Sequence, residues 1–476
     1  MVFSSPVFLF LFLPIVLGVY FLLPKALWNL WLLVASLFFY AWGERAFTLV
    51  MLASIGMNYA FGLLIERWRG RPGMKATMVV AVVANLTLLA GYKYANFLVG
   101  ILNGLLVPMR IAPVHLDPVH LPIGISFFTF HALSYVIDVY RADVRGEKDF
   151  AKVALYVTLF PQLIAGPILR YHHVAYQFGI RSVDLLLFHS GARRFLVGFG
   201  KKVLIANTLA VPADKLFGVS AATLSPGAAW LGIACYTLQL YFDFSGYSDM
   251  AIGLGRMFGF QFPENFNYPY ISRSIKEFWR RWHISLSTWF RDYLYIPMGG
   301  NRVAPGRAYL NLMTVFFLCG LWHGANWTFV VWGLYHGLFL VLEGRGFLRR
   351  IETLPRVVGH AYTVFVMMIG WVLFRSDTLS HAGRYLRAMA GVGHGAPENF
   401  AGMFLTRDVQ LALLAGIVGS TPLVANLARR LCAMPENALG RLAVEGAVNM
   451  GLVAVFLLAL TCLSAGTYNP FIYFRF

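Results

Sequence analysis

Long apolar stretches, each closed by a short polar or basic loop, repeat from one end of the chain to the other. Met1 to Leu23, Ala46 to Ile65, Pro118 to Ile137, Ala308 to Leu342, Val409 to Ala428 and Gly446 to Phe474 contain no Asp, Glu, Lys or Arg. Each can supply the roughly 20 residues that an α-helix needs to cross bilayer hydrocarbon. The pattern predicts an all-α integral membrane protein with about eleven or twelve transmembrane helices, forming one membrane domain over 1–476. The first run has no basic residues ahead of it and no small-residue cleavage site behind it, so it is expected to be a retained helix and not a signal peptide.

The style of the runs changes near Arg110 and near Arg375. Residues 1–110 are plain apolar helices, and residues 376–468 return to that style before an aromatic tail at 469–476. Between them, in 111–375, Gly, Pro and polar residues interrupt the apolar runs, as in "LPIGISFFTFH", "FPQLIAGPILR", "LYFDFSGYSDMAIGLG" and "GLWHGAN". Irregular backbone survives at membrane depth only where it is buried in protein or lines a wet cavity. The middle segment is therefore expected to hold the site. Ala308 to Leu342 is too long for one span and predicts two helices meeting at Gly320 to Asn326, with His323 at the junction.

One segment has a different period. In "SIKEFWRRWHISLSTWFRDYLYI", Ser274 to Ile296, large apolar residues recur at helical spacing opposite Lys276, Arg280, His283, Ser287 and Arg291. Ser274 and Glu277 have capping-box spacing, and Pro297, Gly299 and Gly300 stop the helix. This predicts an amphipathic helix lying at the membrane interface. Two readings of its basic face stay open: an anchor on anionic membrane lipid, or a guide for an anionic cytosolic ligand.

Composition agrees with the membrane reading: the chain is 59% hydrophobic and 13% charged, against about 25% charged in a soluble domain. Lys and Arg outnumber Asp and Glu by 39 to 21. Nucleic-acid binding is not the expected reason, because basic residues collect on the cytoplasmic loops of membrane proteins. The excess sits in Glu66 to Lys75, Arg170 to Lys202 and Arg273 to Arg302, and placing all three in the cytoplasm puts the N-terminus outside. Cys235, Cys319, Cys432 and Cys462 are far apart, so neither a disulfide framework nor a metal site is expected.

Four sets of polar residues bear on chemistry. His323, an ionisable group within the membrane, is a candidate general base, with a satisfied core histidine as the alternative. Asp243, Ser245, Ser248 and Asp249 are expected to form a structural network, since carboxylates six apart do not share a helix face unless Gly246 breaks the helix. His131 and His336 are expected to be core or supporting groups. The tail "FIYFRF" reads as an aromatic belt, yet an extended stretch from Asn469 can reach about 26 Å, enough for Tyr473 to visit a buried site.

At "EFWRRWHISLSTWFRDYLYIPMGGNR", "GLWHGANWTFVVWGLYHG" and "YFDFSGYSDMAIGLG" the sequence resembles the membrane-bound O-acyltransferase family, and within it the branch that acetylates alginate and cellulose. The opening "VFSSPVFLFLFLP" and the ending "YNPFIYFRF" fit the same branch, so the resemblance covers nearly the whole chain. It implies helices, some re-entrant or interfacial, around a central tunnel, with an acyl donor entering from the cytosol. It implies His323 as the central histidine, His283 as the second motif position, and acetyl-CoA as donor, held by Lys276, Arg280 and Arg281. Phe471, Tyr473 and Phe476 match an F-x-Y-x-x-F pattern in a peptide partner of a distant relative, which implies Tyr473 as an acyl carrier. Asn326 is an oxyanion-donor candidate, though capping the next helix is the more natural role. The implied partners are a periplasmic serine-type acetyltransferase, an exported polysaccharide and its synthesis complex, at a bacterial inner membrane. Past Arg375 the chain is shorter than alginate-type members, which leaves the polysaccharide open.

A competing class is a proton-coupled transporter or flippase with His323, His131 and Asp243 as its proton path. No internal repeat supports it, and the basic helix has no role in it. A zinc- and cysteine-dependent protein acyltransferase needs clustered ligands and a thiolate that the scattered cysteines do not supply.

Overall fold

The computed structural model describes residues 1–220, 223–392, 400–433 and 438–466. Every regular element among the described residues is a helix, as the apolar pattern predicts. The tail at 469–476, with Tyr473, lies outside the described residues.

Among the described residues six helices are long and apolar enough to cross a membrane: Phe47–Arg67, Gly73–Lys93, Leu185–Gly218, Trp327–Glu352, Arg356–Arg375 and Leu439–Ser464. The pair Arg407–Gly419 and Leu423–Leu431, bent by 70°, would make a seventh. Run lengths alone predict about eleven or twelve. The difference arises because uncharged runs break into shorter helices. The first run becomes a π-helical turn at Phe8–Phe12 followed by Leu13–Leu22. The run from Pro118 does not become helical until Ile125, after Gly124 turns left-handed at φ 77°.

By internal contacts the chain divides into two compact units, Met1–Gly191 with Leu254–Pro263, and Ala192–Gly253 with Glu264–Phe476. The first unit has an aromatic core in which Phe3, Phe8, Phe12, Phe39 and Phe160 meet at ring separations of 4.9 to 6.4 Å. Its spans Phe47–Arg67 and Gly73–Lys93 are cross-linked by two buried amides. Asn58 donates to Asn85 at 3.0 Å and Asn85 donates back at 2.7 Å. In hydrocarbon such reciprocal bonds hold helices together, because lipid offers an unmatched amide nothing.

The second unit packs by close backbone approach and by charge. Pro226–Met257 is one continuous helix, so Gly246 does not break it. Gly246 faces Gly198 of Leu185–Gly200 instead: a Cβ on Gly198 would lie 2.5 Å from the Gly246 carbonyl oxygen. Along the same helix Asp243 pairs with Lys202 at 2.7 Å, both almost completely buried. Asp249 pairs with Lys201 at 2.7 Å and Arg194 at 2.6 Å, and Arg194 reaches on to Glu264. Asp243 and Asp249 therefore serve a structural network, as expected from their spacing.

Candidate active site

The hairpin that carries His323 follows from its glycines. Pro305–His323 runs into a break where Gly324 is extended (φ −169°, ψ 152°), and Trp327–Leu342 leads away. A Cβ on Gly320 would strike the Phe329 carbonyl oxygen, and one on Gly333 would strike that of Phe316. Bare backbones thus let the two helices lie against each other, a common solution where lipid gives no hydrophobic push. Asn326 is the cap of the second helix: its Oδ1 accepts from Thr328 N at 3.1 Å, and its Nδ2 donates to the Asp377 carbonyl at 2.8 Å. The capping role is therefore filled, and one of the two Nδ2 protons is spent on the Asp377 carbonyl.

His323 ends up buried, 7% exposed, in a cage of rings. Trp322, Trp332 and Phe374 lie edge to face against it at 5.0, 5.1 and 5.1 Å between centroids. The cage continues to His336, which touches Trp332 and Trp279 at 5.2 Å each. Gly370 makes room for it: a Cβ there would sit 2.5 Å from His336 Nε2. His336, expected to be a core group, is wholly buried. His131 belongs to the first unit, where its Nε2 accepts from Leu169 N at 3.4 Å and its ring leans on Tyr156.

His283 joins the cage by a route that the amphipathic pattern does not predict. The segment Ser274 to Ile296 is not one helix. Ile275–Arg281 stops, His283 takes a left-handed conformation (φ 42°, ψ 54°), and Ile284–Phe290 begins anew. The cause is upstream: Ile284 N donates to the Asn265 carbonyl and Asn267 N to the Arg281 carbonyl, both at 2.9 Å, in place of helical bonds. The turn moves His283 from the basic face to the interior, 1% exposed, with its ring 6.2 Å from Trp322. A left-handed non-glycine residue is uncommon and costs about 1–3 kcal/mol, a strain often kept at functional sites.

The hydrogen bonds around His283 fix its tautomer. Asn265 Oδ1 accepts from Ser285 N at 3.2 Å, an obligate donor, and Asn265 Nδ2 donates to Ser248 Oγ at 3.1 Å. Oδ1 is therefore the atom facing His283 Nδ1, 3.1 Å away, and Nδ1 must carry the proton. That leaves Nε2 as a bare acceptor, buried and without a hydrogen-bond partner among the described residues. Burial pushes the His283 imidazole down to about 3, so the ring is neutral throughout the physiological range. It suits accepting a hydrogen bond better than taking a proton. Asn265→Leu is expected to lower kcat by about 10- to 100-fold, the scale seen when a partner that orients a metal-binding histidine is removed. Asn265→Asp, which keeps an acceptor oxygen toward His283 Nδ1 but gives up the Nδ2 bond to Ser248, should lose less activity than Asn265→Leu; equal rates for both variants would remove the orienting role.

The predicted basic residues Lys276, Arg280 and Arg281 stay toward the surface. Lys276 and Arg280 are exposed. Arg281 is occupied: Nη2 pairs with Glu277 at 3.0 Å and Nη1 donates to the Asn267 carbonyl at 3.1 Å. The capping box forms at one end, with Ser274 Oγ accepting from Glu277 N at 3.0 Å, while Glu277 Oε2 takes Arg273 N. A second anchor was not legible in the sequence. The buried Glu343 carboxylate accepts from Ile275 N and Lys276 N at 2.7 and 2.9 Å, fixing the first turn of this helix. Among the described residues one group has metal-ligand spacing, Asp138, Asp143 and His172 in the first unit. There Asp138 Oδ2 already accepts from His172 Nδ1 at 2.8 Å and its backbone N at 3.0 Å, so hydrogen bonding accounts for it.

Comparison with known proteins gives this arrangement its context. The model of the membrane-bound O-acyltransferase family matches residues 37–376, which include His283 and His323. A "Probable alginate O-acetylase" of Azotobacter vinelandii is 44% identical across all of both chains. A peptidoglycan O-acetyltransferase of Helicobacter pylori is 37% identical, over 82% of this chain and 80% of its own. A teichoic acid D-alanyltransferase of Bacillus subtilis is 29% identical, over 48% and 61% respectively. With a caged histidine at a helix break, several apolar spans and these matches, the chain belongs to the membrane-bound O-acyltransferase family and is a multi-pass membrane enzyme, an O-acyltransferase.

Proposed function

We propose that this enzyme takes acetyl from acetyl-CoA on the cytosolic side of a bacterial inner membrane and delivers it outside for O-acetylation of an exported alginate- or cellulose-like polysaccharide. A periplasmic serine-type acetyltransferase, working with the polysaccharide synthesis complex, receives the group, and the N-terminus lies on that periplasmic side. Acetyl is the group named for the Azotobacter and Helicobacter relatives, and the first of them names alginate. The observation that carries the reading is His323, an ionisable ring buried among aromatic side chains at a helix break.

A thioester is already activated, so the protein must position a hydroxyl, take its proton and receive the charge that develops on the carbonyl. His323 takes the hydroxyl proton while the oxygen bonds to the acetyl carbon. Collapse of that adduct breaks the carbon–sulfur bond, and His323 returns the proton to the departing thiolate. His283 Nε2, neutral and lacking a donor among the described residues, accepts a hydrogen bond that orients the donor arm or the hydroxyl.

Tyr473 is the acyl-carrier candidate on sequence grounds. Its phenol, with a reference pKa near 10, needs a base to become a nucleophile, and its acetyl ester transfers onward readily. The testing experiment is incubation of purified protein with isotope-labelled acetyl-CoA, followed by mass spectrometry of the C-terminal peptide and assay of free coenzyme A. Label on Tyr473 with coenzyme A release supports donor and carrier together. Release without label on the tail removes the carrier, and no release with the partner supplied removes acetyl-CoA as donor.

Lys276 and Arg280, exposed beside the buried face of their helix, are positioned for the phosphates of the donor. Replacing both with Ala should raise the KM for acetyl-CoA by roughly 10-fold at low salt, and the difference should shrink as salt screens the charges. Arg281→Ala should do less, because that guanidinium is held by Glu277. An unchanged KM in the double variant would return this face to membrane anchoring.

A further inference from the structure

Asn326 has one of its Nδ2 protons committed to the Asp377 carbonyl, and the oxyanion that forms when a thioester is attacked is usually held by more than one donor. The ring cage contains orphaned ones. Trp332 Nε1, Trp279 Nε1 and both ring nitrogens of His336 are buried without a hydrogen-bond partner among the described residues. Buried polar groups nearly always find partners, so a concentration of unmatched ones marks a place where something else binds.

The chemistry of these atoms defines what that is. An indole N–H only donates, and a neutral imidazole supplies one donor and one acceptor. The group that completes the indole and imidazole N–H donors is therefore a hydrogen-bond acceptor. Trp332 touches both His323 and His336, at 5.1 and 5.2 Å between ring centroids, and is 1% exposed.

We infer that Trp332 is a further catalytic residue, whose indole N–H, with a ring N–H of His336 beside it, forms the oxyanion site for the thioester carbonyl. This rests on the donor reading above. As the hydroxyl oxygen bonds to the carbonyl carbon and its proton passes to His323, the carbonyl π pair moves onto oxygen, where these two N–H groups receive it. The pair then re-forms the carbonyl, the carbon–sulfur bond breaks, and the thiolate takes the proton from His323. Gly370 is the structural precondition, because a Cβ there would occupy the slot of the His336 ring.

The test replaces one atom. Benzothienylalanine incorporated at position 332 substitutes sulfur for the indole N–H with nearly the same shape, so folding is retained where Trp332→Phe would leave a gap. Coenzyme A release is followed for wild type, this variant and His336→Phe. The expected result is a fall in kcat of about 10²- to 10³-fold, the usual loss of one oxyanion donor, with the KM for acetyl-CoA within about threefold of wild type. Unchanged kcat at position 332 would overturn the inference, as would an effect confined to KM, which would make Trp332 a binding contact. Wild type that releases no coenzyme A would defeat the donor reading and this inference with it, and that outcome is distinct from an active wild type with an equally active variant.

Discussion

His323→Ala is expected to lower acyl transfer by at least about 10³-fold, within the range contributed by a general base, while the protein stays folded and inserted. The neighbouring rings argue for both halves of that result. Trp322, Trp332 and Phe374 hold the imidazole from three directions, so its loss leaves a small ring-sized gap and not an unpaired charge. The helix break persists without it, because Gly324 and the Asn326 cap set the turn. His283 is not expected to substitute. Its Nδ1 proton is committed to Asn265, and burial keeps it at about 3, too weak a base for a hydroxyl. Gel filtration and thermal melting in detergent should match wild type, and full activity in this variant would end the general-base role.

The second large effect is on stability. Asp243→Ala is expected to destabilise the protein by about 3–5 kcal/mol, the usual result of breaking a buried ion pair from one side. Lys202 is 3% exposed and would lose the carboxylate 2.7 Å from its ammonium. Replacing both, Lys202→Met with Asp243→Leu, should recover most of the loss, since apolar residues of similar volume often serve a buried site equally well. Thermal unfolding of the single and double variants in the same detergent measures this. A double variant no better than the single would mean that the charges act outside their pairing. The pairing also bears on the transporter alternative, which requires Asp243 to exchange protons, whereas here it is one member of a buried salt bridge.

Helical content and the break at His323 were legible because both follow from local composition: apolar runs for the first, and for the second an uncharged run too long for one span with Gly320 to Asn326 inside it. The structural role of Asp243 and Asp249 was legible from spacing, although their cationic partners lie on another helix. The turn at His283 was not. Ser274 to Ile296 has an unbroken helical period, and the bonds that interrupt it come from Asn265 and Asn267, whose reach no pattern within the segment reveals. Glu343 was hidden for the same reason, as its ligands are the backbone amides of Ile275 and Lys276. Trp332 looked like one more aromatic residue in an apolar span. Only its neighbours distinguish it, and neighbours are a property of the fold.

The central claim is that His323 drives transfer of acetyl from a cytosolic thioester to an acceptor across the membrane. The most direct measurement uses sealed vesicles with isotope-labelled acetyl-CoA on the cytosolic side only and the periplasmic acetyltransferase with its polysaccharide on the other, comparing wild type with His323→Ala. The account predicts label on the polysaccharide with wild type and none above background with the variant. Equal labelling by the two proteins would contradict it.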